Sequence, residues 1–160
     1  ILNAGVAGCL TDLPTGSLVV ASEFVQHDVD TTAVGDPIGL VSTVNRVEFP
    51  TWEPERCVKL LADMGIHAVT GRVATGDWFA VNCKRAEFIR DTFHPVLTEQ
   101  EGGAIAQVCL RNGVRFVAVK SVSDHLFSEN QQEEYFNFGE ALENMGTIVL
   151  PLARKLKEEA

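Results

Sequence analysis

Carboxylates and small residues lie together in residues 96–109, VLTEQEGGAIAQVC. If the backbone stays extended there, Glu99 and Glu101 project to one side and Gln100 to the other, so the two carboxylates could converge on one ligand. Small residues follow them, namely Gly102, Gly103, Ala104 and Ala106. They would allow a helix to begin close against a strand or a bound molecule. A strand end that meets a helix start is a common place for a site, although two solvated glutamates in a loop remain the alternative.

A third carboxylate, Asp124, follows the mostly apolar residues 114–123, VRFVAVKSVS. Such a run is typical of a strand that is buried on both faces in a parallel sheet. We therefore expect Asp124 at the mouth of the sheet. It is either a functional carboxylate there or the N-cap of a following helix.

The composition is that of an ordinary soluble globular domain, with 160 residues of which 46% are hydrophobic and 22% charged. We expect one domain over residues 1–160. The net charge of -9 argues against nucleic acid or an anionic membrane as a partner, because both would be repelled. No apolar run approaches the roughly 20 residues needed to cross a bilayer. The four cysteines are far apart without a CxxC pair, which favours reduced thiols and a cytoplasmic location.

Strand-like and helix-like patterns alternate along the chain. Strands are predicted over residues 16–26, 67–75 and 114–123, and helices over residues 54–65, 83–92, 102–112 and about 133–158. In the last helix, apolar residues at helical spacing predict a core face: Phe138, Ala141, Leu142, Met145, Val149, Leu152 and Leu156. Pro151 should kink or break this helix. The alternation predicts an α/β fold with a mixed, largely parallel central sheet flanked by helices.

The chain enters on apolar Ile1 and Leu2, followed by Gly5, Ala7 and Gly8. This order predicts a start partway along a buried strand that runs into a tight loop. We therefore expect an incomplete domain, a C-terminal portion without its N-terminal strands. An exposed sheet edge would remain unless another segment covers it.

Five stretches in order resemble the methylthioadenosine/S-adenosylhomocysteine nucleosidases of the nucleoside phosphorylase superfamily. They are NAGVAG (3–8), HDVDTTAVG (27–35), TGDWF (75–79), EQEGGAIAQVC (99–109) and VSD (122–124). The resemblance covers nearly the whole chain. It implies a nucleoside phosphorylase-like fold and a homodimer that works in methionine salvage without a cofactor. The implied reaction is hydrolysis of the N-glycosidic bond of 5'-thio-substituted adenosines, which releases adenine. In that family a further N-terminal part contributes strands and a catalytic glutamate.

Cleavage through an oxocarbenium-like sugar requires an acid for the departing base, anionic groups near the ribose and a positioned water. The resemblance implies that Asp124 protonates adenine N7 and contacts the exocyclic amine. It implies that Glu101 holds the ribose hydroxyls and that Glu99 lies near the water. Phe79 would pack on the purine, and the backbone of Ala80 would read the base edge.

The resemblance assigns further substrate contacts to Gln100, Ser123, Val6, Ala7, Gly8 and Lys120. Gln100 stands where the family usually has methionine. Lys120 replaces an arginine, which keeps the charge but loses the planar fork. In bacterial phosphorylases of this fold an arginine and a serine help to bind phosphate where this chain has Asn3 and Val6, so water is favoured as the nucleophile.

Two alternative functions stay open. One is a phosphate-dependent purine nucleoside phosphorylase, and the other is a catalytically impaired nucleoside-binding domain, which Gln100, Lys120 and the absent N-terminal glutamate motivate. His27, Asp28 and Asp30 are potential metal ligands, but no second histidine stands at ligand spacing, so no metal site is predicted. The resemblance instead places this HDVD region near the homodimer interface, where it helps to enclose the 5' end of the partner's substrate.

Overall fold

The structure is a computed structural model, which describes residues 1–81, 83–136 and 138–158. The strands are β1 (Leu2–Cys9), β2 (Leu18–Gln26), β3 (Glu48–Pro50), β4 (Ala68–Thr75), β5 (Leu97–Glu99) and β6 (Val117–His125). The helices are α1 (Pro54–Asp63), α2 (Lys84–Phe93), α3 (Gly102–Asn112), α4 (Gln131–Phe136) and α5 (Gly139–Glu158). The predicted α/β fold is confirmed, and β2, β4, β6, α1, α2 and α3 lie where the sequence pattern places them.

The strands form one mixed sheet in the order β3-β2-β4-β5-β1-β6. The long ladders β1–β6 and β2–β4 are parallel, whereas β5 runs antiparallel to β1. β6 also pairs with the beginning of β2, antiparallel, so the sheet closes on itself and leaves β3 outside the ring. The short strand β5 pairs with the carboxyl end of β1, where Gly8 lies opposite Thr98 and Cys9 opposite Leu97.

β1 differs from its prediction in two ways. It is half-buried along most of its length, because β6 pairs with all of it while β5 reaches only Gly8 and Cys9. In the described part of the chain, residues 2–7 have no strand on that second side, so this edge is open. The predicted tight loop is also wrong, because the strand continues through Gly5 and Gly8 to Cys9.

The helices pack against both faces of the sheet and bury them in apolar clusters, so that Leu18 and Val20 of β2 belong to one cluster and Val19 and Ala21 to another. α1 and α5 share one cluster with β2 and β6, in which Leu61 and Leu152 are almost completely buried. α2 buries Ile89 and Phe93 in a second cluster, and α3 buries Ala106 in a third. These contacts hold the strands from both faces and leave the polar residues of β5 and β6 at one end of the sheet.

The long C-terminal helix predicted over residues 133–158 is two helices, α4 and α5; Asn137 lies outside the described residues. Pro151 does not end α5, which continues to Glu158. Pro151 is exposed, whereas Ile148 and Leu152 on either side of it are buried against the sheet. Packing of the buried face therefore outweighs the one backbone hydrogen bond that proline removes on the solvent side. Leu142, predicted for the core face, is 48% exposed.

α3 begins in direct contact with the sheet, as its small residues predict. A Cβ on Gly102 would lie 2.2 Å from Cε1 of Phe24, whose side chain is fully buried. A Cβ on Gly103 would lie 2.8 Å from Cβ of Thr75 in β4. Larger residues at either position would push the start of the helix away from the strands.

We expect the substitution Gly102→Ala to lower the free energy of unfolding by about 1–3 kcal/mol, because the added methyl group overpacks against the Phe24 ring. Urea denaturation of the purified chain measures this. Gly146→Ala is the matched control, since nothing lies within 4 Å of that position in α5. It should stabilise the helix by up to about 1 kcal/mol. Equal midpoints for Gly102→Ala and the unsubstituted chain would contradict the close contact.

Candidate active site

A cavity of about 240 Å³ opens where β1, β5 and β6 meet the loop after β4. It is lined by Val6, Ala7, Gly8, Trp78, Phe79, Ala80, Thr98, Glu99, Gln100, Glu101, Ser123, Asp124 and Leu126. Every site residue predicted from the sequence is in this lining except Lys120, which lies behind it. Residues that are far apart in the sequence therefore meet in one place.

A β-bulge aims Asp124 into the cavity. Ala7 is paired with Val122, and the next pair is Gly8 with Asp124, so Ser123 is the extra residue of β6. Neighbours in a regular strand point to opposite faces, but the bulge allows both Ser123 and Asp124 to line the cavity. Ser123 Oγ donates a hydrogen bond of 2.6 Å to Asp124 Oδ1.

Gly8 in β1 makes room for the Leu126 side chain, which follows β6, whereas Cβ atoms on β1 would be in ordinary contact with Asp124 and Lys120. A Cβ on Gly8 would lie 3.5 Å from Asp124 Oδ2 and 2.6 Å from Cδ1 of Leu126. A Cβ on Gly5 would lie 3.7 Å from Lys120 Nζ. The small residues that the sequence suggested as a turn thus serve close packing.

Asp124 is 3% exposed and belongs to β6, close to its end. The N-cap alternative is wrong, because the next helix, α4, begins only at Gln131. Asp124 Oδ2 accepts a 3.0 Å hydrogen bond from Gln131 Nε2, which also donates to the backbone oxygen of Ala80 at 2.8 Å. A side chain of α4 thus links Asp124 to the loop after β4.

Glu99 is held from several directions, and its side chain is 2% exposed. Its carboxylate accepts hydrogen bonds from Thr75 Oγ1 at 2.5 Å and from the backbone N–H of Gly102 at 2.8 Å, and it pairs with Lys120 Nζ at 2.8 Å. Burial alone would raise the pKa of Glu99, but the Lys120 charge and these hydrogen bonds outweigh burial and hold the pKa below its usual value. Glu99 is therefore a fixed negative charge at neutral pH.

Glu99 and Glu101 do converge, but not in the way an extended chain predicts. β5 ends at Glu99, and Glu101 occupies the N-cap position of α3. The Glu101 side chain is 63% exposed, and its Oε2 lies 3.7 Å from Lys120 Nζ. A turn, and not strand alternation, therefore directs both carboxylates toward the same ammonium group.

His125 anchors α4 beside Asp124. Its Nδ1 lies 2.8 Å from Glu134 Oε2, and its Nε2 lies 2.6 Å from the backbone oxygen of Leu13. Both ring nitrogens face acceptors, so the doubly protonated ring satisfies both. Burial lowers the pKa of His125, but the Leu13 carbonyl and the Glu134 carboxylate outweigh burial and raise it overall.

The HDVD region contacts the loop after β4. Asp28 Oδ2 accepts a 2.8 Å hydrogen bond from the backbone N–H of Asp77, and the ring of His27 meets the edge of Trp78 at 6.4 Å between centroids. His27 is 5% exposed, and among the described residues its ring nitrogens have no hydrogen-bond partner. Burial lowers the pKa of His27. The place of this region at a dimer interface stays a prediction.

Several residues of the site are not among those predicted from the sequence. Trp78, Thr98 and Leu126 line the cavity, and Thr75 and Gln131 bind its carboxylates. Trp78 and Thr75 belong to the TGDWF stretch, so this motif could have indicated both residues. Gln131 has no local signal, because only the fold brings α4 to Asp124.

The described residues contain no group of three or more His, Cys, Asp or Glu side chains that could hold a metal ion. Over the same residues, no helix combines the length and the apolar character that a membrane crossing needs.

We expect Lys120→Met to lower the free energy of unfolding by about 3–5 kcal/mol at neutral pH, because Glu99 stays buried without its counter-ion. The lowered pKa of Glu99 contributes stability that is present above its ordinary value of 4.5 and is lost as the pH falls through the folded-state pKa. In Lys120→Met the burial of Glu99 is no longer offset by the Lys120 charge, so the pKa of Glu99 is raised and the carboxylate becomes protonated as the pH falls. The destabilisation caused by Lys120→Met should therefore shrink as the pH falls, which denaturation from pH 7 to pH 4 would measure.

Two variants serve as controls for this experiment. Lys59→Met removes an exposed lysine of α1 and should change stability by less than about 0.5 kcal/mol. Adding Glu99→Gln to Lys120→Met removes the unpaired charge and should recover part of the loss. The same destabilisation at pH 7 and pH 4 would contradict an ion pair between Lys120 and Glu99.

Comparison with known proteins agrees with the motifs. The model of the Phosphorylase superfamily matches residues 1–154. The 5'-methylthioadenosine/S-adenosylhomocysteine nucleosidase of Geobacillus kaustophilus is 36% identical over 165 residues, which cover 99% of this chain and 69% of that protein.

Two solved structures are similar to this chain over almost its whole length. The crystal structure of a 5'-methylthioadenosine/S-adenosylhomocysteine nucleosidase from Colwellia psychrerythraea in complex with adenine superposes with a TM-score of 0.83 at 32% identity, covering 94% of this chain and 64% of that one. The native structure of futalosine hydrolase from Helicobacter pylori superposes with a TM-score of 0.87 at 29% identity, covering 96% of this chain and 67% of that one. The chain therefore belongs to the phosphorylase superfamily and, within it, to the family of 5'-methylthioadenosine/S-adenosylhomocysteine nucleosidases.

Proposed function

We propose that this chain hydrolyses the N-glycosidic bond of 5'-thio-substituted adenosines, methylthioadenosine and S-adenosylhomocysteine, and releases adenine. The observation that carries the proposal is the convergence of Asp124, Glu99 and Glu101 on one cavity from different elements of the fold. An acid for the base and anionic groups near the sugar are what this reaction requires. The names of the relatives point to the same substrates.

Asp124 lies at the base end of the cavity. The edge of adenine presents the N7 acceptor beside the donors of its exocyclic amine. A protonated Asp124 can donate to N7 through one oxygen and accept from the amine through the other. Its burial keeps water away from the transferred proton, and Ser123 holds Oδ1 in place. Phe79, 47% exposed at the cavity, offers an aromatic face that the purine would cover.

The sugar end carries the other two carboxylates. Positive charge develops on the ribose as the glycosidic bond breaks, and negative charges already in place stabilise it without reorganisation. Glu101 is exposed enough to accept hydrogen bonds from ribose hydroxyls. Glu99 supplies a fixed charge beside the site of the incoming water. Lys120 lies behind both and keeps them oriented.

The charges of the cavity favour water over phosphate as the nucleophile. Its carboxylates would repel a phosphate dianion. Lys120, the cation beside them, is already paired with Glu99 and Glu101. Among the residues that the structure describes, no arginine belongs to the cavity lining. Asn3 and Val6, which stand where phosphorylases have an arginine and a serine, offer no charge to an anion.

We further propose that the chain acts as a homodimer in the cytoplasm, within methionine salvage. The support for the dimer is the HDVD resemblance together with Val34, which follows this region and is 80% exposed. Light scattering by the purified chain tests the dimer, and a monomer at all concentrations would contradict it.

We expect adenine release from methylthioadenosine without added phosphate, and a decrease of about 10²- to 10⁴-fold in kcat for Asp124→Asn, because asparagine cannot transfer a proton. An assay that follows adenine with and without phosphate measures both. Asp63→Asn, at the exposed end of α1, is the control and should keep full activity. Release that requires phosphate would instead identify a phosphorylase. Adenine binding without any release would identify an impaired nucleoside-binding domain.

We expect Glu101→Gln to lower kcat/KM for methylthioadenosine by about 10- to 100-fold, since a hydrogen bond to a charged group becomes neutral. Adenine affinity should not change, because Glu101 belongs to the sugar end. For substrates that lack a ribose hydroxyl, Glu101→Gln should lower kcat/KM by a smaller factor than for methylthioadenosine. Glu55→Gln, an exposed residue of α1, is the control. An equal loss for all substrates would contradict a contact between Glu101 and the ribose.

A further inference from the structure

The carboxamide of Gln131 reaches the base end of the cavity. Gln131 is the first residue of α4 and is 8% exposed. Its Nε2 donates to Asp124 Oδ2 at 3.0 Å and to the backbone oxygen of Ala80 at 2.8 Å. Both acceptors belong to residues of the cavity lining. One nitrogen therefore bridges the carboxylate and the loop that together form the polar end of the cavity.

These two acceptors suit the exocyclic amine of adenine as well as they suit an amide. An amide nitrogen and the amine of adenine each present two N–H donors from one planar nitrogen. In the proposed function the amine donates to Asp124, and the resemblance implies that the Ala80 backbone reads the base edge. Two nitrogens cannot lie at one position between the same pair of oxygens. The Gln131 carboxamide therefore stands where the amine would lie.

We propose that Gln131 is a built-in competitor for the base, whose carboxamide must leave the amine position before a 6-aminopurine can bind. This inference rests on the proposed function, which supplies the base, and it adds a residue that sets the affinity for that base. Binding then exchanges one pair of N–H donors for another. The affinity for adenine is lower than the contacts of the base alone would give.

The competitor has a physical reason to be there. Without a donor, Asp124 Oδ2 and the Ala80 carbonyl would be acceptors at a largely buried site, and such groups are costly when they are left unpaired. Gln131 satisfies both when no base is bound. The fold is thereby stabilised at the expense of base affinity, a common conflict at functional sites.

The surrounding network fixes α4 through contacts other than those of the Gln131 carboxamide. Glu134, also on α4, accepts hydrogen bonds from the backbone N–H of His125 at 2.9 Å and from Ser128 Oγ at 2.7 Å. These contacts fix the start of α4 next to Asp124. Rotation of the Gln131 side chain can free the amine position while this anchor stays in place.

Titration calorimetry with adenine tests the proposal on the whole chain and on Gln131→Met, a residue of similar length that cannot donate. We expect Gln131→Met to bind adenine about three- to tenfold more tightly, because no carboxamide has to be displaced. Gln132→Met, at the exposed next position of α4, should bind adenine like the unsubstituted chain. The affinity for purine, which lacks the amine, should rise by less than about twofold in Gln131→Met, since purine does not compete for these acceptors.

Unchanged or weaker adenine binding by Gln131→Met would overturn the competitor role, and so would an equal gain for purine, which would indicate only a larger cavity. If Gln131→Met does not fold, as judged by circular dichroism, Gln131→Ala provides the same comparison. The proposed function fails separately, if the unsubstituted chain does not release adenine from methylthioadenosine. If the unsubstituted chain releases adenine but Gln131→Met binds adenine with unchanged affinity, the competitor role is overturned and the proposed function stands.

Discussion

The buried contact between Glu99 and Lys120 connects the elements that surround the cavity. Glu99 is the last residue of β5, and its carboxylate accepts a hydrogen bond from the backbone N–H of Gly102 at the start of α3. The same carboxylate is paired with the ammonium group of Lys120 on β6. Few geometries satisfy a buried carboxylate so completely, and a buried ion pair is tolerated only when its remaining hydrogen bonds are made. The position of α3 against the sheet and the direction of the second carboxylate, Glu101, both follow from this contact.

Close approach of backbones makes that contact compatible with the rest of the fold. Gly102 lies against the Phe24 ring, and Gly8 leaves space for the Leu126 side chain. The bulge at Ser123 then directs Asp124 into the cavity instead of toward the helices. The site is thus built on strands that are held rigidly by their neighbours, which suits a reaction in which charges must be in place before the bond breaks.

The cavity is also prepared for the state without a base. Gln131 gives donors to Asp124 and Ala80, so the polar end is satisfied in both states. Its anchor is the pair of His125 and Glu134, which the geometry favours as a charged pair. Substrate affinity and the stability of the unliganded fold are therefore coupled through Gln131, so a substitution there that raises one should lower the other.

Hydrophobic periodicity is a local property, so the alternation of strands and helices and the α/β class could be predicted from the sequence. Most of the cavity lining, including Asp124, Glu99 and Phe79, was predicted from the resemblance of short motifs to a known family. Tertiary structure alone decided that β6 returns to β2, that Ser123 forms a bulge and that α5 continues through Pro151. It also decided that Gln131 reaches Asp124. Each of these depends on contacts between distant parts of the chain, whose packing energy outweighs the local preference that a sequence pattern records.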